Sequence, residues 1–164
     1  MSCLQYQLDT KRAIECAGKV NPMNEVGLTS ALALAQKVIE LGRSAGAPPL
    51  AVVILDARGR VKVSMAEDGV AAAMAPTAIG KANAALMMET DGRTLSISAA
   101  SNHFALPGLV NLLGPFVPLP GGVPIVSGRG IIGALGVTGD TADNDERFAL
   151  DALAACGFTD AAAV

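Results

Sequence analysis

Aromatic side chains are scarce in this chain of 164 residues: four Phe, one Tyr and no Trp, 3% in all. Their scarcity excludes nucleic-acid modules that stack bases on aromatic platforms, and aromatic cages for cations. Positive charge is thin as well. The net charge is −3 and no basic cluster is denser than Lys11-Arg12, so a footprint for nucleic acid or an anionic membrane is missing. Cys3, Cys16 and Cys156 are odd in number, far apart and without a Cys-x-x-Cys pair. They read as reduced, small buried hydrophobes of a cytoplasmic protein, not as a disulfide framework. Histidine occurs once, as His103, which rules out a multi-histidine zinc site within one subunit. Asp9, Lys11, Arg12 and Glu15 stand where a secretory signal would need an apolar run, so none is expected.

What is abundant is small and aliphatic. Hydrophobic residues make up 51% of the chain and charged residues 16%, with thirty Ala and eighteen Gly. Such a chain folds, and its core must rely on branched aliphatics and close backbone approach. Its length suits one domain burying roughly 68–70% of the unfolded surface. The longest stretch without Asp, Glu, Lys or Arg runs from Thr94 to Gly128. Pro107, Pro115, Pro118, Pro120 and Pro124 interrupt it, which argues against a membrane-spanning helix. Buried irregular structure, a subunit interface or the wall of an apolar pocket is expected there instead.

Residues 1–27 read as an N-terminal arm and 28–164 as the domain. Thr29 is a fitting N-cap for a helix whose apolar face holds Leu32, Ala35, Val38, Ile39 and Gly42, ending at Gly46 before Pro48-Pro49. Leu50–Leu55 is an unbroken apolar run, followed by the turn Asp56–Arg60 and the alternating Val61–Met65: a hairpin. Pro76-Thr77 opens a second helix toward Asp91-Gly92, and a short third helix is expected around Thr94–Phe104. Val123–Val126 and Ile131–Val137 form a second hairpin. Thr138–Asn144 reads as a polar loop, and Asp145–Ala155 as the last helix. Paired hairpins between helices exclude a doubly wound parallel sheet and predict an α+β fold with an antiparallel sheet.

Lys81 is the cation that invites a role. Apolar Ala78, Ile79, Ala82 and Ala85 surround it on its helix, and no acid stands at 77, 78, 84 or 85. A desolvated lysine can act as a base or carbonyl partner, or neutralise an anionic ligand; otherwise it snorkels or pairs with a remote carboxylate such as Asp68. His103, inside the charge-free stretch, suits a general base or an axial haem ligand, or simply a hydrogen-bonded loop residue. Ser98 and Ser101 lie near it without a Gly-x-Ser-x-Gly elbow. Asp140, Asp143, Asp145 and Glu146 could hold a metal, but fit better as acids complementing a helix N-terminus. The glycines of Gly133–Gly139 lie within a strand and lack a Walker ending, so they signal backbone packing.

Taken in order, several segments resemble the GlcG/HbpS-like family. They are Leu28-Thr29 opening an Ala-rich helix, Gly46-Ala47-Pro48-Pro49-Leu50 with the hairpin through Arg60, and Glu67-Asp68-Gly69. Ala78-Ile79-Gly80-Lys81-Ala82, Gly121-Gly122-Val123-Pro124, Ile132–Gly139 and Asp143-Asn144-Asp145-Glu146 continue the match. Ala75-Pro76-Thr77-Ala78 replaces the family's usual Ser-x-Asp-x-Ala, and Met88–Thr94 departs from its Phe-Gly-Arg-Pro segment. The resemblance implies a profilin-like α+β fold, with a five-stranded antiparallel sheet flanked by helices and assembly into homo-oligomers. It further implies binding of haem or another planar hydrophobic small molecule in an apolar inter-subunit pocket. The positions that match the family are Lys81, Asp68 and the Gly121-Gly122-Val123-Pro124 segment. In the binding reading, which the charge-free stretch also motivates, Lys81 or Arg93 would face the ligand's carboxylates, His103 would be an axial ligand, and Gly121 and Gly122 would adjoin it. The alternative is a cofactor-independent lyase, isomerase or cyclase acting on a small unsaturated carbonyl or aromatic-derived compound. There Lys81 or His103 would move a proton, with Asp68 or Asp145 orienting it. Neither reading includes a metal site, nucleic acid or a membrane.

Overall fold

Two β-branched hairpins supply the four strands of the sheet among the described residues. In the computed structural model, which describes residues 25–101, 105–128 and 130–158, they are β1 (Ala51–Asp56) with β2 (Val61–Ala66), and β3 (Gly122–Ser127) with β4 (Gly130–Thr138). The order is β2-β1-β4-β3 and every pairing is antiparallel. The hairpins meet through β1 and β4, in register from Ala51↔Thr138 to Asp56↔Gly133. The α+β architecture is therefore as expected. Among the described residues the sheet has four strands; the fifth expected strand is not among them. Val26 extends the sheet only by a single bridge, its N–H donating to the Ile132 carbonyl at 2.9 Å. Residues 1–24, most of the expected arm, and His103 lie outside the described residues.

Helices cover both faces. Helix α1 (Leu28–Ser44) and the last helix, α5 (Ala142–Ala155), lie on one face, where Leu34, Val38, Phe148 and Leu153 pack against Val52, Ile54 and Leu135. Helix α2 (Met74–Met88) lies on the other, with Ala78, Ala82 and Leu86 against Val53 and Leu55. Residues alternate along β1 between these two layers, as a strand buried on both faces must. The glycines expected to pack do so. A side chain at Gly136 would strike the Ala78 carbonyl, and one at Gly122 the Lys81 carbonyl, so α2 rests directly on the backbone of β3 and β4.

Three local expectations change. Helix α1 starts at Leu28 with Gly27, in extended conformation, as its N-cap, so Thr29 lies inside the helix. The polar loop before the last helix ends earlier than expected, because the Thr141 hydroxyl accepts from the Asn144 N–H at 3.3 Å and starts α5 at Ala142. The expected short helix is present as α3 (Gly92–Ser101), starting two residues before the charge-free stretch, and a further helix that was not expected, α4 (Ala105–Leu113), follows it. Asp91 caps α3 by accepting from the Thr94 N–H at 2.8 Å. Among the described residues no helix is long and apolar enough to cross a membrane.

Candidate functional site

The Ala-rich composition of α2 lets the Lys81 side chain run inward to the sheet with only 3% of its surface exposed. Its Nζ donates to the Val137 carbonyl at 2.9 Å and to Asp145 Oδ2 at 2.8 Å. Asp145 comes from the first turn of α5, and its Oδ1 accepts from the Asp140 N–H at 3.1 Å. Burial pushes the Asp145 carboxyl above its ordinary range, against the pull of the Lys81 ammonium and the Asp140 amide. The pair thus fastens α2, β4 and α5 together.

Gly121 closes over this pair. Its φ of +99° suits glycine, and a Cβ there would lie 2.6 Å from the Val137 oxygen and 3.0 Å from Lys81 Nζ. Its own carbonyl accepts from the Val137 N–H at 2.8 Å. Gly122 backs onto the Lys81 main chain. Four residues singled out from sequence, Lys81, Asp145, Gly121 and Gly122, therefore converge in one place.

Others do not join them. Asp68 is exposed in the turn after β2, and the carboxylate that pairs with Lys81 is Asp145. That corrects the expectation of an unpaired lysine and of Asp68 as its partner; the acid arrives from 64 residues away. Arg93, half-exposed at the start of α3, donates to Asp143 and Glu146 of α5. Those hydrogen bonds hold its guanidinium still more firmly protonated. Ser98 and Ser101 are exposed. Among the described residues no three His, Cys, Asp or Glu side chains are grouped to hold a metal. The acids around α5 are engaged in pairing and capping: Asp140 accepts from the Thr141 N–H and the Asn144 amide.

Two features escaped the sequence reading. Asn83, only 8% exposed, donates its amide to the Leu113 carbonyl at 3.1 Å and the Pro115 carbonyl at 2.7 Å. A polar residue inside an Ala-rich helix is the signal that could have found it. At the other end of the sheet, buried Glu25 pairs with Lys62 at 3.1 Å and Arg60 at 3.4 Å, while buried Asp56 pairs with Arg60 at 2.9 Å. A third feature is apolar exposure: Ile97 is 66% exposed, Val110 45%, Leu112 79% and Leu119 43%.

An antiparallel sheet between helix layers, fastened by a buried Lys–Asp pair beneath a Gly-Gly turn, defines the structural class. The chain belongs to the HbpS-like family described as haem-degrading proteins, whose sequence profile matches residues 26–154. Among solved structures, PduOC in complex with heme is 24% identical, matched over 82% of this chain and 96% of that one with a TM-score of 0.74. Protein ORFY of Klebsiella pneumoniae is 20% identical over 80% of this chain and 90% of that one, with a TM-score of 0.73. HbpS is 24% identical over 79% and 89% respectively, with a TM-score of 0.70. At these identities the likeness establishes a shared fold. No curated protein matches the chain.

Proposed function

We propose that this protein binds haem, or a related planar hydrophobic molecule, on the apolar surface of α3 and α4, and that homo-oligomer formation closes a pocket around it. The carrying observation is that the helical part of the charge-free stretch keeps much of its apolar surface outside the core, although its strand β3 is buried there. Asn111 is the one polar side chain of α4, yet Val110 and Leu112 face outward, as does Ile97 of α3. A helix apolar nearly all round is built to be covered. Family membership supplies the chemical class of what covers it.

The described residues fit the apolar part of such a ligand, through aliphatic walls with little stacking. Lys81 and Arg93 are both engaged with carboxylates of the chain, so a ligand's acidic groups would have to compete for them. His103 stays a candidate axial ligand and lies outside the described residues. Haem, when bound, supplies a redox-active iron; the chain's contribution is to seat its apolar edges and exclude water.

Titration of the purified protein with haemin tests the reading. A saturable Soret shift is expected, weakened by Ile97→Glu and Leu112→Glu, and changed in position by His103→Ala. A shift that never saturates, or one indifferent to both glutamate variants, refutes the assigned surface. Native mass spectrometry of the protein as purified reads its assembly and any retained ligand together.

The acid–base alternative draws on the upward push that burial gives Asp145 beside an ammonium donor. It ranks second because both side chains are nearly inaccessible, 3% and 2% exposed. Reductive methylation should label Lys37 and Lys62 and spare Lys81. Rapid labelling of Lys81 would bring a lyase, isomerase or cyclase forward.

A further inference from the structure

Helix α4 is attached to the body in an unusual way. Of its described side chains, only Leu109 and Leu113 turn inward, onto a small separate cluster formed by Ala84 of α2, Leu95 of α3 and Phe116. Three buried residues make a small core, so among the described side chains little apolar burial holds the helix down. Among the described residues the polar attachment is concentrated in one side chain: the Asn83 amide donates to the carbonyls of Leu113 and Pro115 on either side of Gly114.

Gly114 itself has φ +75°, a conformation that glycine adopts without steric cost, and a Cβ there would meet nothing within 4 Å. Immediately beyond it the backbone is fixed again. The Val117 N–H donates to the Gly80 carbonyl at 3.0 Å, Phe116 is 6% exposed, and Leu119 lies against Gly92. A lightly seated apolar helix, a glycine joint and a firmly held next segment follow one another along the chain.

We propose that α4 is a lid that turns about Gly114, with Asn83 as its latch. Opening uncovers an apolar seat made of Ala84, Leu95 and Phe116. The seat accepts an uncharged apolar molecule, or the apolar edge of a larger planar one; only this ligand assignment rests on the binding reading above. The latch gives a role to the polar residue in an Ala-rich stretch of α2. Binding is then limited by the fraction of molecules with the lid open.

Hydrogen exchange read by mass spectrometry tests the opening without any ligand. In the full-length wild-type protein, peptides covering 107–113 should exchange far faster than those of β1 and β4. Asn83→Ala should speed exchange in 107–113 by about tenfold and leave the strands unchanged, since its two hydrogen bonds together account for roughly that factor. The neutral fluorophore N-phenyl-1-naphthylamine should bind the variant tighter by a similar factor, as the open fraction rises. Wild-type exchange of 107–113 in step with β1 and β4 overturns the lid, and this result does not depend on how any variant folds. Faster exchange without tighter fluorophore binding overturns the seat. Failure of haemin to bind, with both lid results as expected, would count against the haem reading alone.

Discussion

Replacing Lys81 with Met removes the cation from a pair whose side chains are 3% and 2% exposed, leaving Asp145 buried beside the Val137 carbonyl with no counter-charge. Breaking a buried pair from one side typically costs about 3–5 kcal/mol, out of a total stability of about 5–15 kcal/mol for a domain. For a chain of this size that lowers Tm by on the order of 10 °C. Met fills most of the lysine volume, so the loss is electrostatic and not a cavity. Asp145→Asn should fall in the same range, because it strands the ammonium while Asn can still accept from the Asp140 N–H. The double variant Lys81→Met/Asp145→Asn has no buried charge and should recover about 2 kcal/mol or more of the summed single losses. Urea unfolding of the four proteins at pH 7, followed by circular dichroism, measures the cycle. Single losses below about 1 kcal/mol, or losses that simply add, would refute a buried ion pair as the fastener of α2 to α5.

Acidity should act on the same variant in a definite direction. The folded Asp145 carboxyl sits above 3.8, so the folded state holds its proton more tightly and this group's contribution to stability declines as pH rises from 3.8 through the raised value. Without Lys81 the raised value moves higher, so the deficit of Lys81→Met relative to wild type should be smaller at pH 5 than at pH 7; a deficit that grows on acidification contradicts this. Gly121→Ala meets both a positive φ and three close atoms, and should destabilise by roughly 3 kcal/mol or more in thermal unfolding, whereas a neutral result would mean the turn can move off the pair. Thr141→Ala removes the α5 cap and should cost about 1 kcal/mol by the same assay, with Thr141→Ser close to wild type.

Local chemistry was legible in the sequence where it decided local structure. The runs Leu50–Leu55 and Ile131–Val137 announced their strands because β-branched residues between turn signals leave few alternatives. The contact between the two hairpins was not legible, since nothing in either run names its partner. The same limit hid the counter-ion of Lys81: Asp68 carried the right charge, but burial of Asp145 by the fold decided the pairing. The prolines of the charge-free stretch misled in one respect. Pro107 falls in the first turn of α4, where its missing N–H breaks no helical bond, so it does not prevent a helix. Lys81, Asp145, Gly121 and Gly122 were found as separate residues; only the tertiary structure brought them into one place.

The sheet joins its hairpins through β1 and β4, so its central pair is also the one most distant along the chain. Each hairpin can form on its own schedule, but neither buries both faces until Ala51 meets Thr138. Closing that loop comes before the reward of the core, which places the slow step of folding in the middle of the sheet and not at its edges. A cut in the exposed turn around Asp68-Gly69 would leave each fragment with an intact hairpin and a raw central strand. Two such halves, made separately, have the complementary edges needed to find one another and rebuild the sheet.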